Sequence, residues 1–195
     1  LVDFISWSKK NYPASRYMLI IWNHGSGWMD PRQSNGGSKG ISFDDETGNY
    51  IRTREIGAIV REAGGVDVLA FDACLMQMGE VLSEVKGNVM VMVGSEETIP
   101  GVGYPYHIFL SALDKEPGMS AEKLGSILVE AYKMFYEQTI KRGAQLSAVR
   151  VAKAGDLEAK VKEFAAAARA LNDVPALKAA RAGVMRFDMI GAASD

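Results

Sequence analysis

Cysteine is nearly absent from this sequence. A single residue, Cys74, stands among 195, so no internal disulfide can form and the thiol count says nothing of compartment. Long apolar runs are missing too: none approaches the ~20 residues needed to span a bilayer. There is no imbalance of charge, with 22 Lys+Arg against 24 Asp+Glu and a net −2. Neither nucleic acid nor an anionic membrane surface is therefore expected as a partner. Internal repeats and low-complexity linkers are lacking, which argues for one domain over 1–195. An initiating Met and a signal peptide are lacking as well, and Leu1 already lies in a helix-like pattern. The expectation is a piece of a longer protein, with any export signal elsewhere. What remains, 48% hydrophobic and 24% charged residues, is ordinary for a globular chain with a proper core.

The apolar residues come in short blocks of two kinds. Residues 17–22 (Tyr-Met-Leu-Ile-Ile-Trp), 66–71 (Val-Asp-Val-Leu-Ala-Phe), 89–93 (Val-Met-Val-Met-Val) and 146–151 have the length and β-branched content of buried strands, the first reading as a central strand covered on both faces. Between them, helical spacing runs over 51–63, with Thr53 as N-cap and Gly64-Gly65 as stop, and over 75–85, directly after Cys74. Further helices are expected over 106–113, from Ser120 to about 140, from an Asp156 cap to about 171, and over 176–182. Strand and helix in alternation predict an α/β fold: a mostly parallel sheet with helices on both faces.

Two of these strands end in chemistry. The first runs into Asn23-His24-Gly25-Ser26-Gly27-Trp28, the second into Asp72-Ala73-Cys74. Open α/β sheets collect ligands and reactive groups at the carboxyl ends of their strands. If the two strands are neighbours, His24 and Cys74 share that edge, where imidazole can deprotonate the thiol. A helix starting at Cys74 would add its positive end to the stabilisation of a thiolate. Gly25 lets a backbone N–H come close and, with the Cys74 N–H, receive an oxyanion. Alone, a cysteine in an α/β core is more often an inert buried thiol, and a loop histidine more often a hydrogen-bonding residue. Their joint placement favours catalysis. The spacing of 50 residues from His24 to Cys74 also matches the interval of about 50 in caspases.

These blocks, Trp22-Asn23-His24-Gly25-Ser26-Gly27-Trp28 and Asp72-Ala73-Cys74-Leu75-Met76, resemble the signature segments of the clostripain family, bacterial cysteine peptidases with a caspase-like, three-layer fold. The resemblance extends to residues 39–48 and to Ser95-Glu96-Glu97-Thr98 with Pro100-Gly101-Val102-Gly103-Tyr104. It implies that His24 and Cys74 act as a catalytic dyad and that Asp72 lies in the S1 pocket, meeting an Arg or Lys at P1. It also implies autocleavage in the loop after the histidine, with Lys39 the candidate and Arg32 the second. Protein or peptide substrates, and a secreted or cell-surface location in a bacterium, follow from the same resemblance. Two departures matter. Pro105 stands where many relatives carry an acid, which removes the expectation of a second S1 carboxylate and of strict Arg-over-Lys selectivity. The family's N-terminal strand and helix are not seen ahead of Leu1.

Other candidates are weaker. Asp44-Asp45-Glu46 could hold Ca²⁺, as clustered carboxylates do, but lacks the EF-hand spacing and reads better as a solvated turn; no other cofactor is called for. Asp72 could merely cap a helix, Glu96 and Glu97 could line the cleft or be plain loop carboxylates, and His107 reads as structural. The rivals to a peptidase are a catalytically silent binding protein of the same fold, and an amidase or peptide ligase using the same thioester.

Overall fold

The computed structural model describes residues 1–28, 40–139 and 144–185. Lys39 and Arg32 lie outside the described residues. Four strands form the main sheet, in the order β1 (Met18–Trp22), β4 (Val66–Asp72), β5 (Val89–Gly94), β6 (Ser147–Arg150). The first three are parallel and β6 runs antiparallel to β5, so the expected mostly parallel sheet is present. β4 and β5 are apolar on both faces because both faces are covered.

One face packs against helices α1 (Val2–Asn11), α2 (Thr53–Glu62), α3 (Gly79–Glu84) and the start of α6 (Ala154–Leu171) through Ile5, Ile56, Val60, Val81, Val85 and Ala154. The other packs against α4 (Tyr106–Lys115) and α5 (Ala121–Thr139) through Phe109, Leu124, Leu128, Tyr132 and Tyr136. The result is a three-layer αβα arrangement, followed in the chain by a last helix, α7 (Val174–Ala182), which buries no residue. A small antiparallel ribbon, β2 (Gly40–Ile41) with β3 (Ile51–Arg52), sits beside the carboxyl end of β1.

Four expectations need correction. β1 is not central: among the described residues it pairs only with β4, and its last residue is exposed. Thr53 is not the cap of α2. Arg52 occupies that position, its N–H donating to Glu55 Oε2 at 3.1 Å, while the Thr53 hydroxyl donates to the Gly27 carbonyl at 2.7 Å. Asp156 falls in the first turn of α6 without capping it. Most consequentially, no helix begins at Cys74. Leu75 takes a left-handed φ of 64°, its N–H donates to the Glu97 carbonyl (3.2 Å), and the Gln77 N–H donates to the Ser95 carbonyl (3.0 Å). Residues 75–77 are thus held by the chain leaving β5, and α3 starts only at Gly79. The helix-dipole contribution expected at the thiol is absent.

Candidate active site

Because β1 and β4 are parallel neighbours with Trp22 opposite Asp72, the segments that follow them emerge side by side. His24 and Cys74 line one cavity of about 200 Å³ together with Trp22, Asn23, Asp72, Ala73, Ile99, Pro100, Gly101 and Gly103. The sequence expectation that the two strand ends converge is met in this geometry.

The histidine loop is held on both sides. Ser26 N–H donates to the Gly40 carbonyl (3.0 Å) and Ser42 N–H to the His24 carbonyl (3.1 Å), so residues 24–26 run as a further strand beside β2. Asn23 turns the chain with φ of 119°, and its Oδ1 accepts the His24 N–H at 2.5 Å. Asparagine is among the few side chains that tolerate positive φ. In this ribbon Gly25 faces Ile41 at a position that exchanges no hydrogen bonds. Its amide therefore points away from β2, and a Cβ on Gly25 would stand 2.5 Å from the Cys74 carbonyl oxygen. Only glycine allows that approach.

Cys74 is half-buried. The Ile99 N–H donates to its Sγ at 3.2 Å, with the Ile99 carbonyl 3.9 Å from the same sulfur. This backbone N–H stands at the sulfur where the sequence suggested a helix end. The N–H groups of Gly25 and Cys74 are engaged by no other described residue.

Asp72 is the last residue of β4, not a helix cap. Its side chain is 4% exposed. Oδ2 accepts the Tyr104 N–H (3.2 Å) and the Tyr106 hydroxyl (2.9 Å), whereas Oδ1 is buried with no partner. Burial raises the carboxyl pKa above its ordinary value, the two hydrogen bonds opposing that rise. The Tyr106 phenol is pushed well above its usual range, by burial first and then by this hydrogen bond to Asp72. Gly103, at φ 69°, leaves room: a Cβ there would meet Asp72 Oδ2 at 2.8 Å. The loop that carries Gly103 is fastened by Tyr104, whose hydroxyl donates to the Phe71 carbonyl (2.7 Å), and by Tyr136, whose hydroxyl donates to the Gly103 carbonyl (2.8 Å). Ile99, Tyr104, Tyr106 and Trp22 were missed by sequence reasoning; the aromatic content of residues 104–106 was the available signal.

The remaining candidates fall elsewhere. Glu96 and Glu97 do not line the cavity. Glu97 accepts the Thr98 N–H (2.8 Å), and Glu96 accepts the Ser147 hydroxyl (3.2 Å) while its N–H reaches Gln145 Oε1 at 2.7 Å. Asp44 closes a turn, accepting the Glu46 N–H at 3.0 Å and the Thr47 hydroxyl at 2.5 Å, and the hydroxyl first among these bonds lowers its pKa. Among the described residues, no group of three His, Cys, Asp or Glu could hold a metal ion, and no helix is long and apolar enough to cross a membrane. His107 stacks edge-on with Phe135, centroids 6.3 Å apart.

A mostly parallel sheet between two helical layers, with a cysteine and a histidine at the carboxyl ends of neighbouring strands, defines a caspase-like α/β protein. The profile of the clostripain family matches residues 1–187, and the chain belongs to that family of cysteine peptidases. It is 34% identical over 120 residues to the clostripain of Hathewaya histolytica, covering 54% of this chain and 22% of that protein. In fold it is similar to a secreted C11 cysteine protease from Bacteroides thetaiotaomicron in complex with an irreversible peptide inhibitor, with a TM-score of 0.65 and 23% identity over 81% of this chain and 47% of that one. An inactive zymogen C11 protease from Parabacteroides distasonis gives a TM-score of 0.63 and 21% identity, over 80% of this chain and 40% of that one. The chain spans about a fifth of the curated relative and under half of these solved chains.

Proposed function

We propose that residues 1–195 form one caspase-like peptidase domain that hydrolyses peptide bonds after Arg or Lys. The observation that carries this reading is the pairing of Trp22 with Asp72, which puts a thiol, an imidazole and a buried carboxylate around one cavity. Cys74 attacks the scissile carbonyl as thiolate, with the Ile99 N–H at 3.2 Å supporting the sulfur's charge. His24 takes the thiol proton and returns it to the leaving amine. The N–H groups of Gly25 and Cys74 receive the oxyanion. Water then attacks the thioester, His24 removing its proton, and the acid product leaves with the thiol restored.

Asp72 reads the substrate. Its unpartnered Oδ1 is an acceptor whose desolvation is already paid, and a P1 ammonium or guanidinium supplies the charge-assisted partner. A neutral P1 side chain leaves the buried acid as it was, so the preference arises from what the site lacks without substrate.

Autocleavage at Lys39, with Arg32 as the alternative, belongs to the same reading, since both are basic residues in the stretch of chain that follows His24. A cut after Lys39 would leave Gly40 as the new terminus, still seated against Ser26. Secretion, as for the Bacteroides relative, completes the proposal. Peptides ending in a fluorogenic amide after Arg, Lys or citrulline test it. Release after Arg and Lys, much weaker after citrulline and absent from Cys74→Ala, is expected; equal release after all three defeats the basic-P1 assignment.

A further inference from the structure

The alternation of β1 sends Leu19 and Ile21 to the α2–α3 side of the sheet and Met18 and Ile20 to the α4–α5 side, where they join Val68 and Ala70 of β4. Trp22 continues the second set. It is the register partner of Asp72, and register partners in a parallel pair project from the same face, about 4.8 Å apart. Met18 and Ile20 are packed against the apolar cluster, whereas Trp22 is 64% exposed while lining the same cavity as Asp72, Cys74 and Gly103. Among the described residues, no ring and no cation is seated on the indole. A large bare indole face one strand from a buried carboxylate is a surface waiting for an apolar or cationic group.

The hydrogen bonding of Asp72 says which. Tyr104 N–H and the Tyr106 hydroxyl both occupy Oδ2, leaving the buried Oδ1 as the one carboxylate oxygen without a partner. A carboxylate with one free oxygen cannot take a guanidinium as a two-pronged fork. Asp72 alone therefore meets Arg and Lys as much the same point charge. A planar guanidinium also stacks on an aromatic face, which a compact, strongly hydrated ammonium does less well. We infer that Trp22 is a specificity-determining residue: its indole forms one wall of the P1 site and favours Arg over Lys. This rests on the basic-P1 reading of the cavity.

The test measures kcat/KM for peptides with Arg, Lys and citrulline at P1, using the full chain and the variants Trp22→Ala and Trp22→Phe. The wild type is expected to favour Arg over Lys by about 5- to 30-fold, the scale of one cation–π contact. Trp22→Ala brings that ratio towards one, chiefly by losing activity on Arg; Trp22→Phe, which keeps a ring, retains part of it. Trp22 is exposed, so both variants should keep the wild-type Tm. An Arg/Lys ratio unchanged in Trp22→Ala overturns the inference, as does an equal loss on Arg, Lys and citrulline peptides. A second arm does not depend on turnover. Cys74→Ala protein titrated with N-acetyl-arginine amide is expected to show a saturable change in tryptophan fluorescence that disappears in Cys74→Ala/Trp22→Phe. A response that is absent, or that survives loss of Trp22, overturns the inference. Failure of the wild type to cleave any peptide, with this response intact, defeats the peptidase reading and leaves Trp22 assigned.

Discussion

Replacing Asp72 by Asn tests the account at the point where function and stability pull in opposite directions. The amide keeps the shape, and its oxygen can still accept the Tyr104 N–H and the Tyr106 hydroxyl that now bond Oδ2 at 3.2 and 2.9 Å. The charge alone is removed. For a buried charge pair, truncating one partner costs about 2–5 kcal/mol, a loss of about 30- to 5000-fold in kcat/KM for Arg and Lys peptides. The value for a citrulline peptide should hardly move, because a neutral P1 gains nothing from the carboxylate. Stability should change in the other direction. Burial raises the Asp72 pKa in the folded state, so the protonated acid is the form that folding favours. That contribution is fully present below the ordinary Asp value of about 3.9 and is lost as pH rises through the raised folded value. At pH 7 ionised Asp72 thus opposes folding, and Asp72→Asn should raise Tm there, with the gain shrinking as pH approaches 4. The assay is kcat/KM on the three peptides beside thermal unfolding at both pH values. Arg activity within threefold of wild type, or a Tm at pH 7 lowered by the substitution, would refute the reasoning.

Other outcomes follow from the same geometry. The acid limb of kcat/KM on Arg peptides should fall at a pH above the ordinary Asp range, and Asp72→Asn should abolish the Arg-specific part of that limb; a limb identical in both proteins counts against it. Gly25→Ala places a Cβ 2.5 Å from the Cys74 carbonyl, so stability should drop by about 1–3 kcal/mol and kcat by about 100-fold or more, read by denaturant titration and steady-state kinetics. Ile99→Pro removes the N–H that donates to Cys74 Sγ; alkylation of the thiol by iodoacetamide at neutral pH should slow several-fold. Lys39→Ala should abolish any two-chain form in an intact-mass measurement, and persistence of a cut at the same bond rules Lys39 out.

What was legible in the sequence was whatever burial alone decides. Residues 66–71 and 89–93 read as strands because both faces of β4 and β5 are covered, which demands unbroken apolar runs. Their alternation with helices then implied a parallel sheet, and two polar strand ends implied convergence. The turn at Leu75 was not legible. Its apolar successors have helical spacing, yet its left-handed backbone is fixed by pairing with residues 95–97, some 20 positions away. The same holds for Tyr106. Locally it opens a helix, but its hydroxyl serves a carboxylate 34 residues earlier in the chain. Trp22 was hidden at the end of an apolar run, and only the position of β1 at the edge of the described sheet shows its ring to be uncovered.

The central claim is that Cys74 is a nucleophile aimed at the carbonyl after a basic side chain. Incubation with a peptidyl-arginine acyloxymethyl ketone, followed by intact-mass and peptide-level mass spectrometry, tests it directly. The account predicts one inhibitor per chain, bonded to Cys74 Sγ, with labelling slowed by His24→Ala, lost in Cys74→Ala and weak for the citrulline analogue. An unlabelled chain, or equal labelling by the arginine and citrulline reagents, would contradict it.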